Sequence, residues 1–180
     1  MKKLHIGCGK TILPGYVNLD MQLLPGVDVV QDLEKFPYPF KDGEFDLIEA
    51  HQVLEHIHDL QGVMKELARI LKKGGVLKID VPHFTSNTAW MDPTHVRYFA
   101  YTTFDFFVRG HFHDEGYVYS TEYFSAIKKY LRFYKGWYLH YYLLEPIINK
   151  LIKVGNGHLY EGNFLRSFFP AWRVDVKLIK

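Results

Sequence analysis

The sequence predicts one α/β domain built on a doubly wound, mostly parallel sheet with an antiparallel C-terminal strand. Three observations predict it. Short apolar runs alternate with loops and one long helical stretch through residues 1–82, the pattern of parallel strands joined by crossovers. A length of 180 residues suits a single domain with a continuous core. Residues 171–179 place Trp172, Val174, Val176 and Leu178 at every second position, the period of a strand.

The elements follow in order. Leu4-His5-Ile6 is a strand ending in Gly7-Cys8-Gly9, and Pro14-Gly15 turns the chain into a second strand from Tyr16 to Leu19, closed by Asp20. Only about ten residues separate these strands, fewer than the usual dozen of a parallel crossover, so the first helix must be short or replaced by a turn. Val27–Val30 forms the third strand, ending in Gln31-Asp32-Leu33; the prolines of 36–40 make that stretch a connector. Asp42-Gly43 turns into a fourth strand at 45–50. From Asp59 to Lys73, Leu60, Val63, Met64, Leu67, Ile70 and Leu71 recur at helical spacing, with Lys72-Lys73 in the last turn and Gly74-Gly75 as the stop. Val76–Val81 is the fifth strand. Beyond it, 102–108 and 122–131 read as helices, 132–144 as aromatic and β-prone, 146–154 as a helix and 171–179 as the last strand. The division is into a half at 1–82 that holds a ligand over the sheet and an aromatic-rich half at 83–180 that forms a lid and acceptor wall.

Composition narrows the function. Hydrophobic residues make up 48% and charged residues 23%, and the net charge is +2 from 22 basic and 20 acidic side chains, so nucleic acid is not an expected partner. Aromatic residues reach 17% and concentrate after residue 98. They read as core and lid, as faces that stack on sugars, or as a surface meeting lipid or a lipid-linked substrate. Cys8 is the one cysteine, and the apolar run behind Met1-Lys2-Lys3 stops at Gly7, too soon for an export segment; a cytoplasmic protein is expected.

In an open parallel sheet, ligands lie beyond the carboxyl ends of the strands. Gly7-Cys8-Gly9 leaves the backbone free to approach a ligand, Asp20 can accept two hydrogen bonds from a ribose diol, Asp32-Leu33 can meet an adenine, and His51 lies where the ligand's middle would run. The dinucleotide fingerprint fails, because Ile12 stands where its third glycine would be. A nucleoside without phosphates fits better.

These residues resemble a known family. Leu4 to Gly9, Leu13 to Asp20, Val27 to Leu33, Phe45 to Ile48, Val53 to Ile57 and Leu71 to Leu77 together are similar to a short-form, Rossmann-like class I S-adenosylmethionine-dependent methyltransferase of the type 11 kind, in the right order over residues 4–82. The resemblance implies S-adenosyl-L-methionine as cofactor. It also implies that Gly7, Cys8 and Gly9 border its methionine part, Asp20 holds the ribose, Asp32 and Leu33 hold the adenine, and His51 lies by the sulfonium. It further implies transfer to a small-molecule or glycan hydroxyl, similar short-form proteins being associated with surface-glycan assembly. The clipped first crossover leaves a second reading open, a methyltransferase-like binding or interaction module without turnover.

Methyl transfer to a hydroxyl needs a group that takes its proton. His95 is the expected base with Asp92 orienting it, and His83 and Tyr98 are expected to line the acceptor pocket. Glu55-His56 is another candidate for the proton, but its neighbours Leu54, Ile57 and Leu60 are core positions, which favours a structural histidine at a helix start. No metal is expected: His56-Ile57-His58-Asp59 and His111-Phe112-His113-Asp114 lack partners at a recognised spacing.

Overall fold

The computed structural model describes residues 1–110, 123–133, 140–154 and 157–180. The run 111–114 and the aromatic positions Tyr117, Tyr119, Tyr134, Trp137 and Tyr138 lie outside them. A seven-stranded sheet has the order β3-β2-β1-β4-β5-β7-β6, formed by β1 (Lys3–Ile6), β2 (Val17–Asp20), β3 (Val29–Val30), β4 (Phe45–His51), β5 (Leu71–Pro82), β6 (Ala126–Phe133) and β7 (Ala171–Ile179). Strands β1 to β5 pair in parallel, and β7 runs against both of its neighbours. The fold is the expected mostly parallel α/β sheet with an antiparallel C-terminal strand. Leu4, Ile6, Ile48, Leu77, Ile79 and Val174 form its dry face. Each such side chain contributes about 1.5–3 kcal/mol on burial.

The helix α1 (Leu60–Ile70) packs Val63, Met64, Leu67 and Ile70 into this core, and its start is capped by Asp59, whose carboxylate accepts the Gly62 N–H. It ends three residues before Lys73. Leu71 is extended and fully buried opposite Phe45, which places it in β5 rather than in a last helical turn. Lys72 then pairs with Asp46 at 2.9 Å, and Gly74 turns the chain at φ 76° inside the strand. The expected glycine stop is therefore a kink within β5.

No helix bridges β1 and β2; residues 7–16 are held by side chains instead. Buried Asn18 accepts from the Leu13 N–H at 2.9 Å and donates to the Leu13 and Tyr16 carbonyls.

The expected helix at 122–131 is corrected to strand β6. Ile127, Lys129, Leu131 and Phe133 point inward at every second position, and a lysine among them disguises the alternation. Lys129 is inside because its ammonium donates to both oxygens of fully buried Asp105, at 2.6 and 2.5 Å. Asp105 lies on a 3₁₀ turn at Thr103–Phe107.

Residues 132 and 133 end β6. The helix α3 (His140–Val154) begins before the expected start at Pro146 and lies along the free edge of β6. There Asn149 accepts from the Leu131 N–H and donates to the Leu131 carbonyl, both at 2.9 Å, which satisfies an edge that would otherwise pair with other chains. Short helices α2 (Thr88–Met91), α4 (His158–Glu161) and α5 (Leu165–Phe168) complete the aromatic half. No helix among the described residues is long and apolar enough to cross a membrane.

Candidate active site

The strand order reverses between β1 and β4, so the chain leaves their carboxyl ends in opposite directions, the place where open α/β sheets take ligands. On the β1 side, Gly7 and Gly9 both have positive φ, 60° and 51°. A side chain at Gly7 would collide with Val53, whereas one at Gly9 would meet nothing within 4 Å. Gly7 thus serves the packing of the loop after β4, and the open space lies over Gly9. Asp20, at the end of β2, turns toward this loop: its Oδ2 accepts the Gly9 N–H at 2.7 Å and its Oδ1 the Gln22 N–H at 2.9 Å. Each oxygen keeps a free lone pair. An open cradle beside a carboxylate with spare acceptor capacity fits a nucleoside with free ribose hydroxyls. Cys8 is buried, and burial pushes its thiol above the usual range.

Asp32 stays at the surface, its Oδ1 accepting the Glu34 N–H and its Oδ2 lying 3.7 Å from Lys35. The side chain of Leu33 is 6% exposed and belongs to the core. At the end of β4, His51 is clamped between Asp80 and Glu49, the latter at 3.0 Å. The two carboxylates, Asp80 foremost, push its imidazole up to about 9, and hydrogen bonds from Lys78, His51 and Tyr16 hold Glu49 at about 2 against its burial.

A second group gathers beyond β4 and β5. Glu55 and His56 lie on a 3₁₀ turn at Leu54–His56, and the segment after α2 folds back on it: the Val96 N–H donates to the Glu55 carbonyl at 2.9 Å. His95 arrives edge-on to His56, ring centres 4.7 Å apart. Glu55, His56, Asp92 and His95 line a cavity of about 610 Å³ together with Gln52, Pro82 and Met91. Glu55 is 1% exposed and its Oε2 has no hydrogen-bond partner. Burial, with Asp80 and Asp92 adding to it, pushes this carboxyl up to about 7.

The chain thus brings His95 and Asp92 to one wall, although Asp92 Oδ2 stands 3.9 Å from His95 Nε2, beyond a hydrogen bond. His95 is oriented instead by the Ala89 carbonyl, 3.0 Å from Nδ1. His83 is fully buried and bonds Thr85 and Glu161, both at 2.7 Å. Glu161 lies 78 residues away, and no local pattern signals the pair. Tyr98 is at the surface, stacked on Trp90 with ring centres 3.9 Å apart. Glu55-His56 is marked in the sequence as a candidate; the burial of the Glu55 carboxyl is a product of the fold.

Residues 12–79 match the family model described as a methyltransferase domain. A search of curated proteins finds no match. Among solved structures, a SAM-dependent methyltransferase from Archaeoglobus fulgidus is similar with a TM-score of 0.62 and 16% identity, over 99% of this chain and 86% of that one. The YcgJ protein from Bacillus subtilis is similar with a TM-score of 0.59 and 17% identity, over 99% and 91%. Phosphoethanolamine N-methyltransferase 2 from Haemonchus contortus, solved in complex with S-adenosyl-L-methionine, aligns with all of this chain and 49% of its own at a TM-score of 0.58 and 16% identity. The chain has the fold of the class I S-adenosylmethionine-dependent methyltransferases, and its residues 12–79 match the methyltransferase-domain family model.

Proposed function

We propose that the protein is an S-adenosylmethionine-dependent methyltransferase acting on a hydroxyl of a small molecule, glycan or lipid-linked glycan. The observation that carries this reading is the juxtaposition of Asp20 with the open space over Gly9 at the strand-order switch. Asp20 would receive the ribose hydroxyls, Gly9 would border the methionine part, and Asp32, at the next strand end, would take the adenine amino group. When bound, the cofactor supplies a methyl group already activated by its sulfonium.

The chain's own task is to place the acceptor oxygen in line and take its proton. His95 is suited to the second step. Its Nδ1 faces a carbonyl, which only accepts, so Nδ1 carries a hydrogen and Nε2 is the nitrogen available to take the acceptor's proton. The exposed Trp90–Tyr98 stack flanks the same segment, and flat aromatic faces of this kind suit a sugar ring.

The test is calorimetric titration with S-adenosylhomocysteine, followed by transfer of labelled methyl to hydroxyl-bearing acceptors. Saturable 1:1 binding and labelled ether product are expected. A folded protein that does not bind S-adenosylhomocysteine overturns the reading. Binding with no transfer to any acceptor favours the interaction-module alternative.

A further inference from the structure

The cavity wall after β4 holds a carboxylate with one oxygen that the fold leaves without a hydrogen-bond partner. An unpaired polar atom at such depth costs about 1–3 kcal/mol, and more when charged, so it calls for a structural or functional reason. Glu55 Oε2 is that atom, on a side chain 1% exposed that faces the cavity.

The two histidines beside it are prepared in the same way. His95 Nδ1 faces the Ala89 carbonyl, and His56 Nδ1 faces the Thr94 carbonyl at 3.3 Å and the Thr94 hydroxyl at 3.0 Å. A carbonyl can only accept, so both Nδ1 atoms carry hydrogen and Nε2 is the nitrogen each ring can offer to a cation. The Thr94 hydroxyl passes its own hydrogen to Asp92 Oδ1 at 2.7 Å, which completes a carboxylate–hydroxyl–imidazole chain. Anchoring the remote ring nitrogen in this manner is how metal-binding histidines are oriented. Glu55, His56 and His95 each offer one donor atom, all within 4.8 Å of one another. Asp92 Oδ2 stands beside His95.

We propose that Glu55, His56 and His95, with Asp92 as a fourth donor, form a site for a divalent transition-metal cation in the wall of the acceptor cavity. Two imidazoles and a carboxylate suit a borderline ion such as zinc or manganese better than calcium or magnesium. A tetrahedral ion with bonds of about 2.1 Å needs donors about 3.4 Å apart. The donor atoms, which lie within 4.8 Å of one another, would draw in by about 1.4 Å at most on binding. A cation here would lower the pKa of a coordinated hydroxyl; that role rests on the methyltransferase reading, whereas the binding site does not. The cation would also occupy the His95 lone pair otherwise free for the proton, so one titration decides between the two roles.

The experiment is calorimetry of the chelator-treated protein with zinc chloride, paired with thermal melts with and without zinc. One zinc per chain is expected, with a rise in melting temperature. Glu55→Gln keeps the shape but offers no anionic ligand, and its melt without zinc, run beside the wild type, establishes that it is folded. It and His95→Ala should each weaken zinc binding more than about 100-fold, beyond the usual cost of losing an outer-shell partner. His58→Ala, an exposed histidine paired with Glu34, should bind zinc like the wild type. Zinc affinity unchanged in Glu55→Gln and His95→Ala, or no zinc binding by the wild type, overturns the proposal. Titration of the same samples with S-adenosylhomocysteine keeps the outcomes apart: intact cofactor binding without zinc binding counts against the metal site alone.

Discussion

Replacing Asp20 by alanine separates what this residue does for the fold from what it does for a ligand. Its carboxylate accepts two backbone N–H groups, from Gly9 at 2.7 Å and Gln22 at 2.9 Å, one on each oxygen. The second lone pair of each oxygen is the acceptor capacity that a ribose diol would use. A hydrogen bond to a charged group contributes about 1.5–3 kcal/mol. Two on one part-exposed carboxylate are not additive, because water reoccupies the emptied site. A net loss of about 2–3 kcal/mol, or about 30- to 150-fold in Kd, is expected. The fold loses only the two backbone partners, about 1 kcal/mol each at most where water can replace them. The assay is calorimetric titration of wild type and Asp20→Ala with S-adenosylhomocysteine, beside a urea melt of each. Asp20→Asn keeps one acceptor oxygen but no charge, and should fall between them in affinity. A Kd for Asp20→Ala within twofold of the wild type refutes the assignment of the ribose to this residue.

Two further outcomes follow from buried and clamped charges. Asp105→Asn leaves Lys129 without its counter-ion in the core and should cost about 3–5 kcal/mol in a urea melt; the pair Asp105→Leu with Lys129→Met should recover most of it. A loss under about 1 kcal/mol for the single change would contradict the buried pair. His51, raised to about 9 by Asp80 and Glu49 from an ordinary 6.5, contributes stability that is complete below about pH 6.5 and disappears as pH rises through about 9. Because its side chain is 41% exposed, water screens the clamp and the effect is at most about 1 kcal/mol, or about 2–4 °C. His51→Gln should therefore lose less melting temperature than the wild type between pH 7 and 10, and equal losses would count against the clamp.

The parallel strands, α1 and the final strand are legible in the sequence because their signals are local. Apolar residues at spacings of two or three to four mark which face is buried, and β7 covers the same residues that the alternation marks. Strand β6 was not legible, because Lys129 occupies a core position that only Asp105, 24 residues earlier, makes tolerable. The helix end was misplaced for a related reason. Gly74 satisfies a helix stop and a strand kink equally well, and only the pairing of Leu71 with Phe45 decides between them.

The candidate site divides along the same line. The glycine loop and Asp20 are read from strand ends, which local pattern marks, and the resemblance to methyltransferases rests on such segments. The environment of each histidine is a product of long-range contact. His83 meets Glu161 across 78 residues, and His95 joins Glu55 and His56 because a backbone bond from Val96 ties two distant segments together. Sequence by itself determined the strand order's raw material and the position of the glycine loop after β1, since periodicity and turn chemistry act over a few residues. Which ionisable groups share a wall, which are sealed away and which carboxylate is left unpaired were decided only in the tertiary structure. Burial and partnership are properties of residues brought together through space.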